Sequence, residues 1–255
     1  MKKILGFIGA LIIWVLEIFR SAIDFVIYHL FITREYFSGN ECKRLKDCRL
    51  LFRLKKTQPP ASDRFIEFPW MLENISMQKG KLLDVGSTIS DNLYETLPKT
   101  IEINTLNLNQ QKIKSSKIKF KLGDIRKTDY PDDHFDCITC ISTLEHIGVS
   151  GRYGSDEDPE GDLRATREMK RILKPKGTLL VTIPYGIKDV LPINKLYNKQ
   201  RVKKLFVGFK ITDQTFIKFN KSWNAWLKVT EAQAAKTDML NDGWYAIALI
   251  KATKK

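Results

Sequence analysis

Cysteine and histidine are scarce in this chain, and their scarcity excludes several kinds of site. The 255 residues contain four cysteines and three histidines, and none of them are grouped with the spacing of a zinc site. Cys42 and Cys48 lie in a basic segment. Cys137 and Cys140 fall in one predicted strand, where an i,i+3 pair points to opposite faces. We therefore expect no disulfide framework and no metal, and a reducing, cytosolic setting for the domain.

The chain also lacks a long uninterrupted apolar run. Near the start, Ile4–Leu16 has 13 such residues, fewer than the ~17–25 of a simple membrane span. Glu17, Arg20 and Asp24 follow at spacings of three and four, on one helical face. Residues 1–31 are therefore predicted to form an apolar, membrane-associated helix, which either crosses the bilayer at a tilt or lies in its interface. An amphipathic helix packed on protein is the alternative. A cleaved signal peptide is not expected, because no small-residue cleavage site follows.

The net charge of +14 is not spread evenly along the sequence. Residues 59–194 carry 19 basic and 20 acidic side chains, whereas residues 32–58 carry eight and three, and residues 195–255 carry 13 and four. Basic flanks of this kind favour nucleic acid or an anionic membrane as a partner. If residues 1–31 span a membrane, the basic connector at 32–63 predicts that the following domain lies at the cytoplasmic face.

From Arg64 onward the sequence alternates between strand-like and helix-like segments. Apolar and β-branched stretches predict seven strands, at 81–85, 100–108, 118–124, 135–142, 177–184, 209–219 and 244–252. A helix is predicted over 162–173, with Asp162 as its N-cap and a Lys-Pro-Lys-Gly end. The pattern is typical of a Rossmann-like α/β fold with a doubly wound, mostly parallel sheet and a final antiparallel pair. Residues 64–255 are thus predicted to form one domain.

Polar residues and glycines mark the ends of the first four predicted strands in a regular series. LLDVGSTIS (82–90) ends the first strand and Asn107 the second. Gly123-Asp124-Ile125 ends the third, and PDDHFDCITCISTLEHIG (131–148) crosses the fourth. In order and spacing, this series resembles class I S-adenosylmethionine (SAM)-dependent methyltransferases over Leu82–Pro184. The resemblance implies a seven-stranded methyltransferase sheet and SAM as the cofactor.

The first strand end carries one part of the implied cofactor site. Asp84, Gly86 and Ser87 match the family motif that shapes the pocket around the methionine end of SAM. Glycine there lets the backbone approach a ligand closely. Thr88 and Ser90 stand where relatives often have glycine, so the usual glycine-rich run is thinned.

The next three strand ends carry the remainder of the implied cofactor site. Asn107 matches the position that usually holds an acid for the ribose hydroxyls, where a neutral amide makes a weaker contact. Asp124 and the backbone of Ile125 match the adenine contact. Ser142 matches the position beside the reactive methyl group.

The segment GVSGRYGSDEDPEGDL (148–163) carries a second resemblance. Its Gly-Arg-Tyr-Gly and Asp-Pro-X-Gly-Asp-Leu parts resemble a branch of methyltransferase-like proteins that often accompany polysaccharide assembly genes. Arg152, Tyr153 and Tyr185 are the candidate contacts to the methyl acceptor. His146 is the candidate base for a hydroxyl acceptor, or else a structural helix residue. The acids of the segment lack calcium-loop spacing, so a solvated loop is preferred to a metal site.

These features predict a SAM-dependent methyltransferase that acts on a small or membrane-linked acceptor, such as a glycan or a lipid-linked sugar. RNA methylation is an alternative because of the basic tail. Nucleic acid is nevertheless not expected as a partner, since the catalytic stretch is neutral and carries no RNA-binding motif. A non-catalytic scaffold is the other alternative, and the thinned glycine run and Asn107 favour it.

Overall fold

The computed structural model describes residues 63–255 other than 90, 151, 152, 221–224 and 243. Among the described residues, Trp70–Phe219 and Lys228–Lys255 form one compact unit. The helix predicted over residues 1–31 and the connector up to residue 62 lie outside the described residues. Within the described part of the chain, no helix has the length and apolarity needed to cross a membrane.

The strands form one mostly parallel sheet. They are β1 (Gly80–Val85), β2 (Ile101–Asn107), β3 (Ile118–Leu122), β4 (Phe135–Ile141), β5 (Leu173–Tyr185), β6 (Phe209–Asn220), β7 (Ala225–Val229) and β8 (Ala246–Lys254). Their order is β3-β2-β1-β4-β5-β8-β6-β7. β1 to β5 pair in parallel, and β8 runs antiparallel to both β5 and β6. The mostly parallel architecture and the final antiparallel pair are confirmed.

The predicted count of seven strands is wrong, because the described sheet has eight. The additional strand is β7, a segment of five residues at the sheet edge. Its strand conformation is set by its place in the sheet, because β propensity depends strongly on the neighbouring strand.

The described helices have between four and twelve residues. They are α1 (Arg64–Asn74), α2 (Asp91–Tyr94), α3 (Gly161–Ile172), α4 (Lys199–Leu205), α5 (Glu231–Ala235) and α6 (Met239–Asp242), with a 3₁₀ turn at Leu144–His146. The predicted helix at 162–173 is confirmed as α3. The predicted N-cap is wrong: Glu160 precedes the helix, and Asp162 lies buried inside its first turn. Asp162 instead accepts hydrogen bonds from Lys195 and Tyr197, so its charge is neutralised by tertiary contacts.

The strand order places a crevice at the carboxyl edge of the sheet. β1, β2 and β3 follow one another outwards, and β4 then returns to the other side of β1. Ligands of open α/β sheets bind where the strand order reverses in this way, here between β1 and β4. Both strands are almost wholly buried at their carboxyl halves, so the residues that follow them are held on a rigid base.

The two cysteines of β4 belong to the buried core. Cys137 and Cys140 are free thiols with no exposed surface of consequence. Burial raises the pKa of Cys137 to about 12 and that of Cys140 well above its ordinary value. Since only the thiolate is nucleophilic, these cysteines are packing residues.

Candidate active site

The end of β1 meets the segment after β4 at Gly86. Gly86 has φ +96°, and Ser87 beside it has φ +50°. A Cβ atom at Gly86 would overlap the side chain of Thr143, and the Gly86 amide donates to Leu106 O of β2 at 2.8 Å. Positive φ and close approach together require glycine at this position. The predicted loop after the first strand is therefore held tightly between β2 and the β4 end.

The buried side chain of Asp84 also helps to order that loop. Its side chain has no exposed surface. It accepts hydrogen bonds from the hydroxyls of Tyr94 at 2.5 Å and Thr139 at 3.1 Å. Burial raises the pKa of Asp84 to about 6, although those two bonds and the backbone amides of Ile89 and Thr88 lower it. The carboxyl group thus faces the protein interior and shapes the loop, while contact between Asp84 and a cofactor stays a prediction.

Asn107, at the end of β2, ties the second strand to the first. Its Nδ2 donates to Gly86 O at 2.6 Å, and its Oδ1 accepts from the amide of Asn109 at 2.8 Å. Each of these groups keeps further hydrogen-bonding capacity, since an amide carries two N–H donors and two lone pairs. The neutral side chain suits this tie, because an acid could not donate to the Gly86 carbonyl.

Asp124, after β3, is held by Arg126. Its Oδ1 accepts from the Arg126 amide at 2.8 Å, and its Oδ2 accepts from Nε at 2.9 Å and Nη2 at 2.7 Å. The hydrogen bond to Asp124 is the main reason that the pKa of Arg126 is raised. Ile125 between them is buried. Arg126 was not predicted from the sequence, where it was one basic residue among many.

Ser142 and His146 follow β4 at the other side of the crevice. Ser142 has φ +42°, and its amide donates to Thr182 Oγ1 of β5 at 2.9 Å. His146 lies in the 3₁₀ turn, with Nδ1 at 3.0 Å from Ile193 O and Nε2 at 3.7 Å from Glu145 Oε1. Because a carbonyl oxygen only accepts, Nδ1 carries a proton in this arrangement.

The two described residues that were predicted to contact the methyl acceptor lie in different environments. Tyr153 is 45% exposed, and its ring lies 4.8 Å from that of His146. Tyr185 is fully buried at the end of β5, and its hydroxyl donates to Glu231 at 2.8 Å. Burial is also the main reason that the pKa of Tyr185 is raised. Tyr185 is thus held by packing, whereas Tyr153 lies on the surface beside His146. Arg152 lies outside the described residues.

Buried polar residues behind the site were missed by sequence reasoning. Lys195 donates from Nζ to Ile147 O, Pro159 O and Asp162 Oδ1, at 3.0 to 3.1 Å. Tyr197 donates to the other oxygen of Asp162 at 3.0 Å. Nothing local distinguishes these residues in the sequence, because their partners lie more than 30 positions away. In the described part of the chain, no group of three or more His, Cys, Asp or Glu residues could hold a metal ion.

Residues 96–252 match the family described as "Caenorhabditis protein of unknown function, DUF268". A shorter stretch of 85 residues is 35% identical to the ubiquinone/menaquinone biosynthesis C-methyltransferase UbiE of Pseudomonas savastanoi pv. phaseolicola. That stretch is 33% of this chain and 27% of the enzyme. The chain therefore matches only about a quarter of the length of this curated relative.

Solved structures share the fold at low sequence identity. The YcgJ protein of Bacillus subtilis aligns with a TM-score of 0.51 and 14% identity, over 74% of this chain and 98% of that protein. A putative methyltransferase of Bacillus halodurans gives the same TM-score and identity, over 72% and 96%. The [4+2]-cyclase SpnF gives a TM-score of 0.53 and 18% identity, over 78% and 84%. With a Rossmann-like methyltransferase fold and a family match over more than half of its length, the chain belongs to the DUF268 family.

Proposed function

We propose that this protein is a SAM-dependent methyltransferase that acts on a small or membrane-linked acceptor, with a glycan or a lipid-linked sugar as the favoured class. The observation that carries the proposal is the arrangement of four strand ends. Asn107 ends β2, and Gly86, Asp124 and Ser142 follow β1, β3 and β4 at the same edge of the sheet. That edge flanks the point where the strand order reverses, which is where this architecture binds ligands.

The residues at this edge fit SAM. Ser87 Oγ is buried and makes no hydrogen bond to any described residue, so a polar ligand group there would satisfy it. Asp124 uses three of its about four acceptor sites on Arg126 and keeps one for an amino group of the ligand. Asn107 keeps an N–H and a lone pair for ribose hydroxyls. UbiE is named a C-methyltransferase, which supports methyl transfer as the reaction.

SAM supplies an electrophilic methyl group on a sulfonium sulfur. The main task of the chain is then to align the acceptor with that group, which requires no covalent step on the protein. His146 is the residue we assign to a hydroxyl acceptor. Its Nδ1 donates to Ile193 O, so Nε2 is the nitrogen that takes up the acceptor proton, and Glu145 lies 3.7 Å away to balance the resulting charge.

An apolar surface beside His146 supports a lipid-linked acceptor. Ile193, whose carbonyl binds His146, has a side chain that is 41% exposed, and Leu191 and Ile187 in the same loop are 63% and 56% exposed. Exposed apolar side chains that form a contiguous patch mark interaction sites, and these three lie within one seven-residue stretch of the chain. Tyr153 offers an aromatic face on which a sugar could stack.

We further propose that the N-terminal segment holds the enzyme at the cytoplasmic face of a membrane. The support is the apolar character of residues 1–31 and the eight basic residues between positions 32 and 58. If the segment spans, the basic residues favour a cytoplasmic domain. If it lies in the interface, they attract anionic head groups.

Two measurements test the proposed function. Titration calorimetry of the full chain with SAM is expected to give saturable one-site binding. Cells with and without the protein, fed methyl-deuterated methionine, are then compared by mass spectrometry of glycans and lipids. A product that carries one deuterated methyl group only in the presence of the protein would name the acceptor. SAM binding without any such product would favour the scaffold, and absence of SAM binding would refute the cofactor assignment.

A further inference from the structure

The segment Tyr153–Gly161 is fastened to the carboxyl ends of three strands. Asn109, just after β2, donates from Nδ2 to Tyr153 O at 2.8 Å. Arg126, after β3, donates from Nη1 to Asp158 Oδ2 at 3.1 Å. The Asp158 amide donates to Gly148 O, a few residues after β4, at 3.0 Å. These strand ends carry Asn107, Asp124 and Ser142, the residues assigned to the cofactor.

Asp158 is the centre of this fastening. It is only 7% exposed, and it lies between two guanidinium groups, those of Arg126 and Arg164. The hydrogen bond from Arg164 is the main reason that the pKa of Asp158 falls to about 2. The carboxylate therefore stays ionised across the physiological range. Two cations balance its charge, and a hydrogen bond from the Glu160 amide at 3.2 Å adds to its contacts.

Arg126 connects Asp158 to the predicted adenine contact. Its Nε and Nη2 bind one oxygen of Asp124, while Nη1 binds Asp158. A planar guanidinium fixes the directions of its donors, so the positions of the two carboxylates depend on one another. A change at Asp158 would therefore move Asp124, although the two residues are separated by more than 30 positions.

We infer that Arg126 and Asp158 are positioning residues of the cofactor site, which hold Asp124 in its binding orientation and keep the Tyr153–Gly161 segment against the cofactor strands. The inference rests on the proposed function, because it concerns the SAM site. It assigns the Asp-Pro-X-Gly-Asp-Leu motif, through its first aspartate, to the cofactor side rather than to the acceptor alone.

The test uses the full chain and S-adenosylhomocysteine as the probe, so the acceptor need not be known. Asp158→Asn keeps the shape of the side chain and removes its negative charge. Arg126→Lys keeps the positive charge and removes the planar guanidinium group that can bind two carboxylates at once. Each is expected to raise the dissociation constant about tenfold. The matched control is Glu160→Gln in the same segment, whose carboxylate meets Arg167 at 4.0 Å on the surface. It is expected to bind like the wild type.

A double-mutant cycle separates positioning from mere folding. If Arg126 and Asp158 act on the ligand together, the double variant should lose less affinity than the two single losses predict. Thermal unfolding without ligand reports stability independently. A variant that unfolds earlier but binds the probe with wild-type affinity would overturn the inference, as would fully additive losses.

Asn109→Ala, at an exposed position, provides a second variant should Asp158→Asn fail to fold, and it is expected to weaken probe binding. A wild-type chain that does not bind the probe would refute the proposed function, and the inference with it.

Discussion

The buried carboxyl group of Asp84 in β1 makes the stability of the protein depend on pH. Its carboxyl is fully buried, which raises its pKa from 3.8 to about 6. The folded protein therefore holds this proton more tightly than the unfolded chain does. The resulting stabilisation is full below pH 3.8 and is lost as the pH rises through 6. A shift of about two pKa units corresponds to about 3 kcal/mol at a fully buried site.

Replacing Asp84 with asparagine should remove this pH dependence. We expect the free energy of unfolding of the wild type, relative to Asp84→Asn, to fall by about 3 kcal/mol between about pH 3 and pH 7. Urea denaturation at a series of pH values measures it. Asp158→Asn is the matched control with the opposite slope, because the depressed pKa of Asp158, about 2, makes its contribution disappear as the pH falls. Parallel profiles for wild type and Asp84→Asn would contradict the prediction.

Asp124 should contribute directly to SAM binding. Asp124→Ala removes a charged acceptor at the predicted adenine position and is expected to weaken binding by about 1–3 kcal/mol. Titration calorimetry of the folded variant measures the loss. Asp129→Ala is the control, since this exposed acid, five residues after Asp124, pairs with Lys121 on the surface. Unchanged affinity in Asp124→Ala would remove the residue from the site.

At the scale of the element, the turn after β4 depends on one glycine. Gly148 has φ +75°, and a Cβ atom there would overlap the carbonyl oxygen of Asp158. Gly148→Ala is expected to cost at least about 2 kcal/mol more than Gly154→Ala, because Gly154 shares the positive φ of +72° but has its nearest neighbour at 3.8 Å. Thermal or urea unfolding of both variants tests this. Equal losses would mean that backbone strain alone sets the cost.

The helix α3 is fixed to the chain beyond β5 by a buried ion pair. Lys195→Met leaves the Asp162 charge buried without its cation, and we expect a loss of about 3–5 kcal/mol in the free energy of unfolding. Adding Asp162→Asn should recover part of that loss. Lys199→Met is the control, since Lys199 is exposed and meets Glu231 at 3.6 Å, a pair expected to contribute under about 1 kcal/mol. Similar losses at both lysines would contradict the role assigned to burial.

At the scale of the whole molecule, the membrane proposal depends on residues 1–31. Full-length protein is expected in the membrane fraction, and a variant lacking residues 1–32 in the soluble fraction. High-salt washing then measures the contribution of the basic residues, since it releases a protein held mainly by charge but not one whose apolar helix is inserted in the bilayer or its interface. Full-length protein that stays soluble and monodisperse without detergent would contradict the proposal.

The succession of strands along the chain and the positions of the polar strand ends follow from local patterns. Buried parallel strands are short and apolar, so KLLDV and FDCITCI could be predicted from composition alone. Gly86, Asn107 and Asp124 lie at the ends of the predicted strands, and this position identified them as candidate ligand contacts. The short helices α2 and α4 to α6 were not predicted, because four to seven residues complete at most two helical turns and carry too little periodicity. The helix α1 and the edge strand β7 were not predicted either.

The sequence by itself determined the fold class and the edge of the sheet that carries the site, since both depend on residues close together in the chain. Only the tertiary structure decided which charges are paired. Arg126 meets Asp158 and Lys195 meets Asp162 across 32 and 33 positions, and each pair exists because the fold brings strand ends and loops together. A buried charge must find a partner wherever folding places one. The same physical requirement turned Asp162, which locally resembles a helix cap, into the anion of a buried ion pair.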